Sequence, residues 1–246
     1  MAFSLHNEQS WQDFYGAWTM ETSGFKEWYL DLDDVCGELQ KHLDTFKAKK
    51  HSNRILHSGT GTSELPFRLH KAGYASQVGI DFSDDCIKSL QSAQEKSELK
   101  GMEFKKMDVR RMSFEKESFD AVVDKGTLDC VMLTDKGEQS AHQYLKEISR
   151  ILVRGGEAAI FSLYGPSERG ICVKCHELEG VDLSCKHYDM PEAFETPNEG
   201  PSHLYVFRKE QARNAAPNSD EKEEKDKEVD VRSNKREERR EEKVKA

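Results

Sequence analysis

A short apolar run, Arg54-Ile-Leu-His-Ser58, leads directly into Gly59-Thr60-Gly61, and this junction constrains the fold more than any other stretch. Glycines just after a strand let the backbone turn sharply into a helix and approach a ligand closely. The residues downstream keep the same rhythm. Thr62 to Ala72 has helical spacing at Leu65, Leu69 and Ala72, with Gly73 placed as a C-cap. Gln77 to Asp81 reads as a second strand. Ser83 or Asp84 then N-caps a helix to about Lys96, with Ile87, Leu90 and Ala93 on one face. Met102 to Asp108, Phe119 to Asp124 and Glu157 to Phe161 read as further strands. Gly137 to Leu152 is a helix halted by Gly155-Gly156. Val181 to Tyr188 and Leu204 to Arg208 supply an antiparallel edge hairpin. Together these predict an α/β fold: a Rossmann-like, seven-stranded, mostly parallel sheet with helices on both faces.

Composition divides the chain. Beyond Gln211 there is no aromatic residue, and Asp220 to Lys245 interleaves acids with bases. Such a stretch cannot bury enough surface to offset chain entropy. We therefore expect one domain over residues 1–210, its first fifty residues forming an aromatic lid and helix, and a disordered charged tail over 211–246. The formal charge of −9 gives no electrostatic reason for non-specific nucleic-acid binding and suits a lysine-bearing partner better. No run of eighteen apolar residues is present, so no membrane span is expected. The first residues carry neither a signal-peptide nor a transit-peptide pattern, which points to a cytoplasmic protein.

The strand ends carry the chemistry. Glu64 stands where a dinucleotide fingerprint wants a small residue, and a carboxylate there repels a pyrophosphate. It is compatible with a ligand bearing an ammonium and a sulfonium. Asp81 ends the second strand and can accept from both hydroxyls of a ribose. Asp108 and Val109 end the third and offer an acceptor and an apolar wall to an adenine. Asp124-Lys-Gly-Thr-Leu-Asp129 follows the fourth. All of these lie at one sheet edge, where open α/β sheets bind ligands.

Arg54-Ile-Leu-His-Ser-Gly-Thr-Gly, Val78-Gly-Ile-Asp-Phe-Ser, Met107-Asp-Val-Arg and Ser118-Phe-Asp-Ala-Val-Val-Asp-Lys-Gly-Thr-Leu-Asp resemble the successive motifs of class I S-adenosylmethionine-dependent methyltransferases. The last block resembles the eukaryotic methyltransferase-like group that methylates lysines of elongation factor 1-alpha and of citrate synthase. Trp11-Gln-Asp-Phe-Tyr15 and Glu27-Trp28-Tyr29 are similar to that group's N-terminal aromatic motifs. The resemblance covers roughly residues 10 to 209. It implies S-adenosyl-L-methionine as cofactor and a protein lysine as acceptor. It also implies that Trp11, Tyr15 and Trp28 fold over the cofactor, and that Gly59 contacts the methionine part, with Gly61 in the same loop. Asp81 and Phe82 then meet ribose and adenine, Asp108 and Val109 the adenine, and Lys125 lies beside the cofactor.

One position departs from the wider class. An acid two residues before the first glycine commonly holds the methionine ammonium, and here that residue is His57. Glu64 and a main-chain carbonyl are the alternatives. On the acceptor side, Thr127 and Asp129 are the catalytic candidates, with Asp129 orienting the substrate amine; an equal alternative is that Asp129 caps local structure.

Three further readings remain open on sequence alone: a small-molecule methyltransferase, a non-catalytic cofactor-binding scaffold, and a dehydrogenase, the last disfavoured by Glu64. No metal is expected. Cys172, Cys175, Cys185 and His187 have an unusual spacing for structural zinc, and six thinly spread cysteines read as free thiols.

Overall fold

A computed structural model describes residues 8–17, 24–28, 30–47, 52–190 and 202–210. These residues all fall in a unit that ends at Glu210. The expected tail over 211–246, Tyr29, and the whole loop from Pro191 to Pro201 lie outside them.

In chain order the elements are α1 (Glu8–Ala17), α2 (Leu32–His42), α3 (Asp44–Lys47), β1 (Arg54–Ser58), α4 (Leu65–Lys71), β2 (Ser76–Asp81), α5 (Asp84–Ser97), β3 (Met102–Lys106) and β4 (Phe119–Lys125). Then follow α6 (Thr127–Met132), α7 (Gly137–Ile151), β5 (Leu152–Ser162), α8 (Gly170–Val173), a 3-10 turn (Cys175–Glu177), β6 (Leu183–Asp189) and β7 (His203–Lys209). The seven strands form one sheet in the order β3-β2-β1-β4-β5-β7-β6. β1 to β5 run parallel, while β7 is antiparallel to both β5 and β6. The expected fold class is therefore correct, including the antiparallel edge pair.

Alternation along the strands explains the layers, because successive side chains point to opposite faces. Leu56, Val122, Ala158 and Ile160 pack on one face with Ala141, Tyr144, Leu145 and Ile148 of α7. Their neighbours Ile55, Ala121, Val123 and Ala159 pack on the other with Val35 and Leu39 of α2, Phe46 of α3 and Leu65 of α4. Helices thus cover both faces.

Several boundaries differ from those read in the sequence. α4 starts at Leu65 rather than Thr62, because residues 59–63 remain in the ligand-type loop and Pro66 fits only the first helical turn. β3 ends at Lys106, leaving Asp108 beyond the strand. α7 ends at Ile151 because Leu152 adopts extended backbone. Gly155 and Gly156 then lie inside β5, at an irregularity between Phe119 and Ala121 of its partner strand, rather than stopping the helix. Among the described residues no helix is long and apolar enough to cross a membrane.

The strand order reverses between β1 and β4. β1 connects through α4 to β2 on one side, and β4 flanks it on the other. Crevices form at such a switch point, beyond the carboxyl ends of the strands.

Candidate active site

A cavity of about 340 Å³ opens at this switch point, within the usual size range of small-molecule sites. The loop after β1 forms its floor. Gly59 and Gly61 both hold positive φ, at 59° and 53°. A Cβ at Gly59 would lie 2.1 Å from Thr127 Oγ1, and one at Gly61 would lie 2.6 Å from the Tyr15 hydroxyl. Both glycines are needed for close approach as well as for conformation.

Asp81 anchors the loop from below. One carboxylate oxygen accepts from the Gly61 N–H at 3.0 Å, and the other accepts from the Ser83 N–H at 3.0 Å. Burial raises its pKa, against the Ser83, Gly61 and Phe82 amides that favour the charged form. Thr127 holds the loop from the β4 side, its hydroxyl donating to the Ser58 carbonyl at 2.9 Å. The segment 24–28 closes the third side. Glu27 accepts from Ser63 Oγ and from the Glu64 N–H at 2.7 Å, and it pairs with Lys125 Nζ at 3.0 Å. Lys125, 7% exposed, also donates to the Trp28 carbonyl at 2.9 Å. Burial lowers its pKa, and Glu27 works in the opposite direction. Trp11 packs edge-on to Trp28 with centroids 5.5 Å apart, and Trp11 stacks on Tyr15 at 6.0 Å. All ten residues expected at the cofactor line this one cavity: Trp11, Tyr15, Trp28, Gly59, Gly61, Asp81, Phe82, Asp108, Val109 and Lys125.

The two acceptor-side candidates are used differently. Thr127 lines the cavity, but its hydroxyl is committed to the glycine loop. Asp129 does not line it. Its carboxylate is buried and accepts from Ser162 Oγ at 2.6 Å and the Leu163 N–H at 2.9 Å, and it pairs with buried Arg169 at 2.9 Å. This geometry corrects the expectation that Asp129 orients a substrate amine: the group is saturated inside the protein, tying α6 to the loop after β5. Glu64 is likewise turned away, paired with Arg68 at 3.1 Å, so it does not meet an ammonium in the cavity. Asp108, expected to face an adenine amine, is held by Arg110 through Nε at 2.9 Å and Nη2 at 2.7 Å. Burial pushes Asp108 upward, but Arg110 outweighs it and keeps the carboxyl below its usual range.

His57 lines the cavity while being 3% exposed. Its Nε2 lies 2.5 Å from Gln77 Oε1, and the Gln77 amide nitrogen donates to the Tyr74 carbonyl. That relay fixes the tautomer: Nε2 carries the proton, and Nδ1 keeps a lone pair with no protein partner among the described residues. Burial lowers the His57 pKa to about 4, so the ring is neutral at pH 7.

Sequence reasoning missed two residues here. Glu27 was visible only as a neighbour of Trp28; its partner Lys125 is 98 residues away, and no local pattern links them. Asp124 holds the start of α6, a helix also missed whose N-cap is Gly126, by accepting from the Thr127 and Leu128 N–H groups and from the Tyr144 hydroxyl. An Asp before Gly-Thr-Leu-Asp was the available signal. Burial raises the Asp124 pKa to about 7.

Comparison with known proteins gives the family. A model described as "Methyltransferase domain" matches residues 49–187. The chain belongs to this methyltransferase-domain family. It is 39% identical over 140 residues to the eEF1A lysine and N-terminal methyltransferase of Bos taurus, a match covering 56% of this chain and 19% of that protein. The homolog in Drosophila melanogaster is 34% identical over 139 residues, covering 56% of this chain and 20% of the relative. The chain thus spans about a fifth of the length of these relatives. The EEF1A lysine methyltransferase 4 of Mus musculus is 27% identical over 218 residues, 85% of this chain and 78% of that one. Among solved structures, a putative sarcosine dimethylglycine methyltransferase from Galdieria sulphuraria superposes with TM-score 0.56 at 12% identity, covering 81% of this chain and 98% of its own. The [4+2]-cyclase SpnF superposes with TM-score 0.58 at 13% identity, covering 73% and 81%. A cyclase on this scaffold underlines that the fold alone does not assign the reaction.

Two predictions follow from the buried groups. Asp129→Ala strands the Arg169 charge inside the protein and should lower unfolding free energy by about 3–5 kcal/mol in urea titrations. A loss below about 1 kcal/mol would mean the pair is no anchor. For His57, the folded pKa of about 4 lies below the unfolded value of about 6.5. The unfolded chain binds more protons in that window, so this group's contribution is complete above pH 6.5 and drains away as pH falls toward 4, by at most about 1.4 kcal/mol per unit. The stability difference between wild type and His57→Gln should shrink across that window; a difference independent of pH would contradict the neutral assignment.

Proposed function

We propose that this protein is an S-adenosylmethionine-dependent methyltransferase acting on a protein lysine, with an elongation factor 1-alpha-like acceptor. The carrying observation is the convergence of ten expected cofactor residues on one cavity at the switch point. The residues fit the group. Buried Thr60 Oγ1 has no hydrogen-bond partner in the cavity wall among the described residues, and a Cβ on either loop glycine would fill the cradle. Glu27, itself neutralised by Lys125, occupies the α4 N-terminus with a carboxylate, which disfavours a pyrophosphate there.

In this reading Asp81 accepts from the ribose hydroxyls through the lone pairs its amide bonds leave free. Phe82 and Val109 flank the adenine with Asp108. Gly59 and Gly61 receive the methionine part, and Trp11, Tyr15 and Trp28 exclude water from it. The neutral His57 Nδ1 accepts from the ammonium in place of the usual acid. When bound, the cofactor supplies a methyl group on a sulfonium, a leaving group that needs no proton. The chain's work is then alignment of the acceptor's electron pair, which can supply most of the acceleration.

A lysine must be neutral to attack, and an apolar mouth disfavours its charged form. Cys130, Val131 and Thr134 of the cavity wall provide that mouth. The Cys130 thiol is itself uncharged, burial pushing its pKa up to about 12. Thr127 and Asp129 act by positioning, through the glycine loop and α6. The similarity to lysine methyltransferases of elongation factor 1-alpha supports the lysine acceptor, as does the chain's net negative charge. A cytoplasmic location is consistent with a translation-factor acceptor.

The test is labelled methyl transfer from S-adenosylmethionine into a cell lysate, with mass-spectrometric mapping of the product. The expected result is label on a lysine of one predominant protein. Label confined to small molecules, or no transfer by protein that binds the cofactor, would overturn the protein-lysine reading.

A further inference from the structure

Away from the cavity, three side chains converge at the outer end of the sheet. β6 and β7 are antiparallel, with Asp189 directly opposite His203 and His187 opposite Tyr205. His187 and Asp189 are two residues apart on one strand, so they share a face. His187 Nε2 lies 3.1 Å from His203 Nδ1, and His203 Nδ1 lies 3.1 Å from Asp189 Oδ1. The third side of the triangle, His187 Nε2 to Asp189 Oδ1, is 3.5 Å.

Hydrogen bonding alone accounts poorly for this triangle. Two ring nitrogens and a carboxylate oxygen present lone pairs to one point. A proton on one nitrogen can satisfy one side of the triangle well, not all three at once. A divalent cation satisfies them together. Tetrahedral zinc holds nitrogen and oxygen ligands at about 2.0–2.2 Å, which sets them roughly 3.3 Å from one another. The observed sides of 3.1, 3.1 and 3.5 Å bracket that spacing.

The surroundings suit ligation. The His187 ring packs on Tyr205 at 5.0 Å and on His203 at 5.2 Å, which restricts both imidazoles. His203 offers Nδ1 to the triangle and turns Nε2 to the loop after β5, where a Cβ built on Gly165 would lie 3.2 Å from it. His203 and Asp189 are 14 residues apart, and His187 was read with Cys185, so no linear spacing advertised this set. The cysteines weighed for zinc go elsewhere: Cys175 donates to the Leu183 carbonyl, and Cys172 is buried in the core.

We propose that His187, Asp189 and His203 form a binding site for a divalent transition metal of the zinc type, cross-linking β6 to β7 and leaving a fourth position for water or a ligand atom. The site lies beyond the cofactor cavity, and none of its three residues lines that cavity. It therefore stands independently of the methyl-transfer reading.

The test is titration of the full, zinc-free chain with zinc chloride against a chromophoric chelator. One zinc per chain is expected, weakened at least tenfold by Asp189→Asn, by His187→Asn and by His203→Asn. Asp189 is an exposed position, so its variant keeps the test valid if a histidine variant folds poorly. Cobalt(II) should give a visible band of tetrahedral intensity without a thiolate charge-transfer band, and Cys172→Ser/Cys175→Ser should bind as wild type does. Sub-stoichiometric zinc, unchanged affinity in Asp189→Asn, or a thiolate band would each overturn the assignment.

Discussion

The ion pair between half-buried Glu27 and the largely buried Lys125 side chain is the contact on which the candidate site depends. It joins a segment outside the sheet to the end of β4, 98 residues later in the chain. Taking the Lys125 charge out of water is costly unless its partner and further hydrogen bonds satisfy it. Here those bonds are present. Ser63 and the Glu64 amide serve Glu27, and the Trp28 carbonyl serves Lys125. The same bonds set Trp28 against the glycine loop and seat Trp11 and Tyr15 beside it. The aromatic wall is thus positioned by electrostatics as well as by apolar contact.

A second ion pair, this one buried on both sides, plays the corresponding part on the far side of the switch point. Asp129 and Arg169 tie the first turn of α6 to the loop that follows β5. Between the two pairs, Thr127 contacts the glycine loop so closely that any side chain at Gly59 would collide with it. The edge of the sheet is therefore a set of interlocked loops, each satisfied by polar groups from another. That arrangement holds binding groups in place before a ligand arrives, which lowers the cost of ordering them on binding.

Much of this was legible in the sequence. Strand positions followed from apolar runs bounded by glycine and polar residues, and the parallel order followed from intervening helices. The cavity residues from Gly59 to Lys125 were readable because they lie at or just past strand ends, where sequence position and spatial position coincide, whereas Trp11, Tyr15 and Trp28 came from the resemblance alone. What escaped was set by contacts distant in sequence. Asp129 looked catalytic because its motif lies at the right edge, but Arg169, 40 residues on, claims it. Glu64 looked available until Arg68, one helical turn later, paired with it. The α6 helix was hidden because Asp124, read as the end of a strand, also accepts from its first two N–H groups. His57 was recognised as a departure, yet its tautomer depends on Gln77 and Tyr74, which no motif places beside it.

A cavity that suits an S-adenosyl ligand rather than a dinucleotide should separate the two in calorimetric titration of the full chain with S-adenosylhomocysteine and, separately, with NAD. Saturable one-to-one binding of S-adenosylhomocysteine is expected, with no heat of binding from NAD at the same concentrations. Saturable binding of NAD without binding of S-adenosylhomocysteine would contradict this reading.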